Sequence, residues 1–303
     1  MFSENFIFIQ RNWLSCNSLL LKNQNEAVLI DTGYASHADL TLQVLEKHLR
    51  GQPLTTILNT HLHSDHCGGN AKLQQHYSDV EIHIPLTQVG AVNCWDTNSL
   101  SFEMTGQTCH PFKSTGGLVP GNEILICGQP WQLISSPGHD SDSLMLFQPE
   151  SRVLVSADAL WESGVSVVFP ELSGNNHGFH EALSTLDVIE RLKPSTVVPG
   201  HGSTFTDVQA ALDRARKKLI QFMNQPHLHA MYSAKVLIKF KLMELGKANF
   251  SYFKTWCLNA PLLQRIHQQF FNTIPLKTWM DGIFLEFLNK KSILLESDFI
   301  INC

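Results

Sequence analysis

Three imidazoles and a carboxylate fall within six residues in the stretch Thr60-His61-Leu62-His63-Ser64-Asp65-His66-Cys67-Gly68-Gly69. Histidine is the commonest protein metal ligand, and a His-x-His-x-Asp-His run on a loop can aim donors alternately at two neighbouring points. One loop can thus seed two metal positions. Three more donors stand in short turns downstream: His139 in Pro137-Gly138-His139, Asp158 after Val153-Leu154-Val155-Ser156-Ala157, and His201 in Pro199-Gly200-His201. A lone histidine in such a turn is more often structural than ligating. Two Pro-Gly-His turns and a strand-end aspartate, in a chain that already holds the dense run, share one explanation: strand ends converging on one cleft.

The elements that must deliver these donors are legible as alternating strands and helices. Apolar, β-prone runs near 5–9, 18–21 and 27–30 read as a hairpin feeding a further strand, which ends at Asp31-Thr32-Gly33. A helix with Leu40, Val44, Leu45 and Leu49 follows, broken at Gly51-Gln52-Pro53. The next strand, 55–59, delivers the dense run, with a helix to about Tyr77 and a strand at 80–84 behind it. The rhythm breaks at 87–117, where Trp95, Phe102, Met104 and Phe112 sit among Asn, Ser and Gly with no sustained period. That stretch reads either as a lid or insertion beside the site or as plain surface loop. Strands return at 123–127, 131–134, 143–147, 152–156 and 196–198, with a helix over 181–192. Helices are expected at 206–225, 230–245, 249–258 and 260–272 and on to about Leu288, then a short hairpin at 292–302.

Composition bounds the class. The chain has 303 residues, 43% apolar and 16% charged, enough for one large domain with or without a small one. No run of eighteen apolar residues occurs, and the first ten residues lack the basic start and length of a signal peptide, so a cytoplasmic protein without membrane contact is expected. The seven cysteines, at 16, 67, 94, 109, 127, 257 and 303, show no paired spacing, and reduced thiols are expected. The net charge of −5 hides an asymmetry: residues 1–204 hold 9 basic against 20 acidic side chains, and residues 205–303 hold 13 against 7. A basic tail admits nucleic-acid contact, but a helical face packed on an acidic partner domain accounts for it as readily.

The ordered set of His61, His63, Asp65, His66, His139, Asp158 and His201 resembles the pattern of the metallo-β-lactamase superfamily, over roughly residues 5–225. The resemblance implies an α/β fold, the αββα sandwich with metals at one edge between two sheets. It implies that His61, His63 and His139 hold a first metal, that Asp65, His66 and His201 hold a second, and that Asp158 bridges them. Asp31 would be the buttress behind the ligand loop. The expected organisation is a catalytic domain at 1–225 and a small, mostly helical, winged-helix-like domain at 226–303.

Imidazole and carboxylate without thiolate suit two zinc ions, with iron or manganese as alternatives. Two such ions can lower the pKa of a shared water towards about 7. The expected chemistry is hydrolysis of a small ester, thioester or related carbonyl substrate by a metal-bridging hydroxide, with Asp65 or Asp158 relaying a proton to the leaving group. Retention of histidine at 63 argues against the flavodiiron branch, where glutamate is usual. Trp161, three residues after Asp158, stands where acyl-homoserine lactonases usually carry tyrosine. Asn175, Asn176 and His177 read as substrate contacts or, alternatively, as a helix-capping loop. Two other activities stay open: an RNA phosphodiesterase whose basic tail docks nucleic acid, and a mononuclear iron dioxygenase of the persulfide-oxidising type. A homodimer is the remaining partner reading.

Overall fold

The computed structural model describes residues 5–303. Two compact units divide the chain: residues up to Ser101 together with Thr108–Ile220, and Phe102–Gln107 together with Gln221–Cys303.

In the first unit, strands β1 (Phe6–Ile9), β2 (Ser18–Lys22), β3 (Ala27–Ile30), β4 (Thr56–Leu58), β5 (Glu81–Pro85) and β6 (Gly116–Leu118) form one sheet in chain order. The first three pair antiparallel and the rest parallel. The helices α1 (Ala38–Leu49), α2 (Ser64–Cys67), α3 (Asn70–His76) and α4 (Val89–Cys94) connect its parallel strands. A second sheet has the order β11 (Thr196–Pro199), β10 (Val153–Ala157), β9 (Leu144–Gln148), β8 (Gln129–Ser135), β7 (Glu123–Ile126). Strand β9 runs antiparallel to both β8 and β10, and β11 runs parallel to β10. The C-terminal ends of β8, β10 and β11 therefore point the same way.

Burial explains the strand sequences. Strands β2, β3, β9 and β10 are apolar almost throughout and buried on both faces, as strands covered on two sides must be. One core joins the sheets: Leu19, Val28, Ile30 and Leu58 from the first pack with Trp131, Leu133, Leu146, Val155 and Val198 from the second. Outside the sheets, α1 buries the stripe Thr41, Leu42, Leu45 and Leu49, and α7 (Gly178–Leu192, after the short α6 at Phe169–Leu172) buries Phe179, Ala182, Leu186 and Ile189. These stripes follow the helical repeat.

The stretch 87–117 is not wholly irregular. It holds the end of the short 3-10 turn Leu86–Gln88, then α4, the short α5 (Phe102–Thr105) and the start of β6, a three-residue strand that its two glycines hide from propensity. Phe102 and Phe112 are buried, whereas Met104 is exposed. Residues 102–107 belong to the second unit, where the Gly106 backbone lies against the Trp256 ring.

Helix α8 (Val208–Asn224) contains the division at Ile220/Gln221, whereas the sequence places the break at Pro226. In its last turn the Phe222 ring lies against those of His229 and Tyr232. The second unit continues through α9 (Pro226–Leu245), β12 (Lys247–Asn249), α10 (Phe250–Asn259), α11 (Pro261–Phe270), α12 (Leu276–Asn289) and the hairpin β13 (Ile293–Glu296) to β14 (Phe299–Asn302). Helix α9 starts four residues earlier than its periodicity predicts because Pro226 is accommodated in its first turn. The short β12, not foreseen, pairs with β14 to make a three-stranded antiparallel sheet. No helix among the described residues is long and apolar enough to cross a membrane.

Candidate metal centre

All seven donors singled out in the sequence meet at the C-terminal edge of the strands. The β4 strand runs into His61 and His63, and α2 carries Asp65 and His66 on its single turn. His139 follows β8, Asp158 follows β10 and His201 follows β11. Every one of them is buried.

Two turns need glycine. Gly138 has φ +137°, and a Cβ there would stand 2.7 Å from Ala182 of α7. Gly200 lies so close to the cluster that a Cβ would fall 2.2 Å from Asp158 Oδ1 and 3.0 Å from His66 Cε1. The donors thus occupy the space a side chain at 200 would fill.

The hydrogen bonds behind the rings settle which nitrogen each presents. Asp31 accepts from the Thr60 amide at 2.9 Å, from the Thr60 hydroxyl at 2.8 Å and from His66 Nδ1 at 2.8 Å. The Thr60 oxygen, its proton given to Asp31, accepts from His61 Nδ1 at 3.1 Å. His139 Nδ1 donates to the Val167 carbonyl at 2.7 Å, with the Ser166 hydroxyl 2.6 Å away. His61, His66 and His139 therefore each turn Nε2 inwards. His63 directs Nδ1 inwards and sets Nε2 3.6 Å from Asp140 Oδ2.

Two groups of donors result. His63 Nδ1 lies 3.1 Å from His61 Nε2 and 2.7 Å from His139 Nε2. Burial drives all three rings towards the neutral form, His63 and His139 down to about 4 and His61 well below the usual histidine value. Neutral nitrogens that close together, with their protons turned outwards, repel unless a cation lies between them. In the second group, Asp65, His66 and His201 also bring their donor atoms within 4.8 Å of one another. His201 Nε2 stands 3.0 Å from Asp65 Oδ2, and His66 Nε2 is buried with no hydrogen-bond partner.

Asp158 lies between the groups. Its Oδ2 is 3.4 Å from His139 Nε2, and its Oδ1 is 3.4 Å from His66 Nε2 and 3.9 Å from His201 Nε2. Burial alone would raise its pKa, but the imidazoles of His201, His66 and His139 hold it well below the usual carboxylate range. Asp65 is likewise lowered, against its burial, by His66 and His201. His66 is the complement: burial disfavours its charge, yet Cys16, Asp31, Asp158 and Asp65 raise it well above the normal value. A buried, orphaned Nε2, two sets of converging donors and a carboxylate facing both fit a pair of metal ions of the borderline class.

Of the other groups at the site, Trp13, Asn17 and Phe169 have no spacing signal in the sequence. The Trp13 ring, half exposed, stacks on His201 at 4.6 Å, and Trp161 meets both edge-on. Trp161 Nε1 also donates to Asp158 Oδ1 at 3.2 Å, a tie that a tyrosine would make differently. Phe169 stands edge-on to His63 and His139. Asn17 joins the first hairpin to the His201 turn, donating to the Pro199 and Gly202 carbonyls. Asn175, Asn176 and His177 are exposed in the turn before α7, where Asn175 Oδ1 accepts from the His177 amide.

The sequence pattern of the family described as metallo-beta-lactamase superfamily matches residues 11–201, from the first hairpin to His201. This chain belongs to the metallo-beta-lactamase superfamily. It is 26% identical over 203 residues to the beta-lactamase-like protein 2 homolog of Caenorhabditis elegans, covering 65% of this chain and 59% of that protein. It is 27% identical over 214 residues to the hydroxyacylglutathione hydrolase of Marinomonas sp. (strain MWYL1), covering 70% and 66%. The matched part thus spans less than two thirds of either relative. Among solved structures, a metallo-beta-lactamase family protein of Thermus thermophilus superposes with a TM-score of 0.57 at 16% identity, over 98% of both chains. The class B3 di-zinc metallo-beta-lactamase LRA-12 from an Alaskan soil metagenome gives 0.57 at 17% identity, over 72% of this chain and 91% of its own. These likenesses establish the fold.

Proposed function

We propose that this protein is a dinuclear metal-dependent hydrolase of a small ester, thioester or related carbonyl compound. His61, His63 and His139 would hold one ion and Asp65, His66 and His201 the other, with Asp158, which faces both groups, contributing to each. Zinc suits the donor set, as do iron and manganese. The observation that carries this reading is the pair of donor groups, each with ring nitrogens turned inwards, joined by one ionised carboxylate. When bound, such a metal pair supplies a water activated at neutral pH and stabilises negative charge on the substrate oxygen.

The chain's own residues do the rest. Thr60 and Asp31 lock the rings of His61 and His66, and Val167 locks His139, so the donors need no reorganisation. Asp65 and Asp158 remain ionised inside the cleft, and either carboxylate can take up a proton and return it to the leaving group. Trp13 on one side and Phe169 on the other give the site apolar walls that exclude water and orient the substrate. The hydroxyacylglutathione hydrolase relatives favour the thioester end of the substrate class.

Against the nucleic-acid alternative, four of the eight lysines in residues 221–303, Lys235, Lys241, Lys254 and Lys290, are each paired with a carboxylate of their own unit. The test is thiol release from a simple acyl thioester. Activity abolished by chelation and restored by zinc is expected. Oxygen consumption with one iron per chain and no thiol release would replace the hydrolase with the dioxygenase.

A further inference from the structure

Cys67 closes the single turn that carries Asp65 and His66. It is fully buried, and its thiol donates to the His63 carbonyl at 3.3 Å. Beside it stands Cys109, a partly exposed residue whose sulfur lies 3.8 Å from that of Cys67. The loop carrying Cys109 is fastened beside the same turn, because the Thr108 amide donates to the Tyr34 hydroxyl at 2.9 Å. The Tyr34 and Ala35 backbone in turn packs against Gly68, where a Cβ would fall 2.4 Å from the Ala35 amide. Forty-two residues separate the two thiols in sequence, so no short spacing announces the pair.

We propose that Cys67 and Cys109 form a reversible disulfide, a modification site on the ligand turn that couples the thiol–disulfide state of the surroundings to the metal centre. The oxidant is a low-molecular-weight disulfide, RSSR. The partly exposed Cys109 sulfur attacks one sulfur of RSSR, giving a mixed disulfide and releasing RSH. Cys67 then attacks the Cys109 sulfur, closing the protein disulfide and releasing a second RSH. The two thiols lose two hydrogens and two electrons, and RSSR gains them. Closing the gap from 3.8 Å to a bond of about 2.05 Å needs a movement of less than about 2 Å in a side chain and a partly exposed loop. Once formed, the bond removes the Cys67 hydrogen bond to the His63 carbonyl and ties the Cys109 loop to the turn holding Asp65 and His66.

The experiment treats the metal-loaded, full-length protein with oxidised glutathione, blocks remaining thiols by alkylation, and maps the proteolytic peptides by mass spectrometry. The expected product is a peptide pair joined through Cys67 and Cys109, absent in Cys109→Ser and reversed by dithiothreitol. A glutathione adduct that persists on Cys109 while Cys67 is recovered alkylated would overturn the proposal, as would recovery of both thiols alkylated. A second readout is the rate of zinc loss to a chelator, which rests on the metal centre proposed above. A change of about threefold or more in the oxidised protein, reversed on reduction, is expected; cross-linking with an unchanged rate would overturn the coupling. The peptide map is independent of metal content, so failure of the metal assignment and failure of the thiol pair give different results.

Discussion

At the scale of the residue, the site depends on groups that never face the substrate. Asp31 accepts three hydrogen bonds, from the Thr60 amide, the Thr60 hydroxyl and His66. Through them it orients both His66 and, one step on, His61. In Asp31→Asn the amide group must point a donor at a donor in a buried place, so one of those bonds is lost. Zinc affinity, measured by chelator competition, should fall roughly 10- to 100-fold, the usual effect of losing a group behind a metal ligand. An affinity equal to that of the original chain would remove Asp31 from this role. The donors themselves were readable because their types and order are improbable by chance. Trp13 and Asn17 were not, since a single tryptophan or asparagine in an irregular loop has no periodicity. Asn17 meets Pro199 from 182 positions away, a relation only the folded chain contains.

At the scale of the element, the turns carrying His139, Asp158 and His201 converge because strands deliver them at one edge and helices leave room for them. Gly200→Ala places a methyl group against Asp158 Oδ1, so that the Asp158 carboxylate or the turn itself must shift. The variant should fold, keep its circular dichroism, and bind one metal ion fewer; two tightly bound ions in it would show that the centre is looser than described. Helix α8 braces the loop behind His139, with Arg214 donating to the Glu162 carbonyl and Lys218 to the Val165 carbonyl. Burial lowers the Lys218 pKa to about 8. The unfolded chain holds that proton more tightly than the folded one. The resulting destabilisation is full below about pH 8 and fades as pH rises towards the ordinary lysine value of about 10.4. The original chain should therefore gain stability between about pH 8 and 10 relative to Lys218→Met in urea unfolding, and parallel pH profiles would contradict the assignment. Alternation of strand and helix, and the apolar runs of β2, β3, β9 and β10, were plain in the sequence. Strands β6 and β12 were not, because three residues are too few to show a period and their register comes from the neighbouring strand.

At the scale of the whole molecule, two sheets sharing one core bring distant parts of the chain to a single buried cluster of seven donors. The acidic front part contains that cluster, and in residues 221–303 four of the eight lysines, Lys235, Lys241, Lys254 and Lys290, answer carboxylates of the same unit. Charge asymmetry alone could not distinguish internal pairing from a nucleic-acid surface, because pairing depends on which helix faces which. The measurement that tests the account most directly is metal content per chain by elemental analysis, on the purified protein and on Asp158→Asn. Two zinc-like ions in the original chain, falling to one or fewer when the carboxylate between the donor groups is neutralised, is the predicted result. A single ion in both proteins, or two ions unaffected by the substitution, would contradict the dinuclear centre.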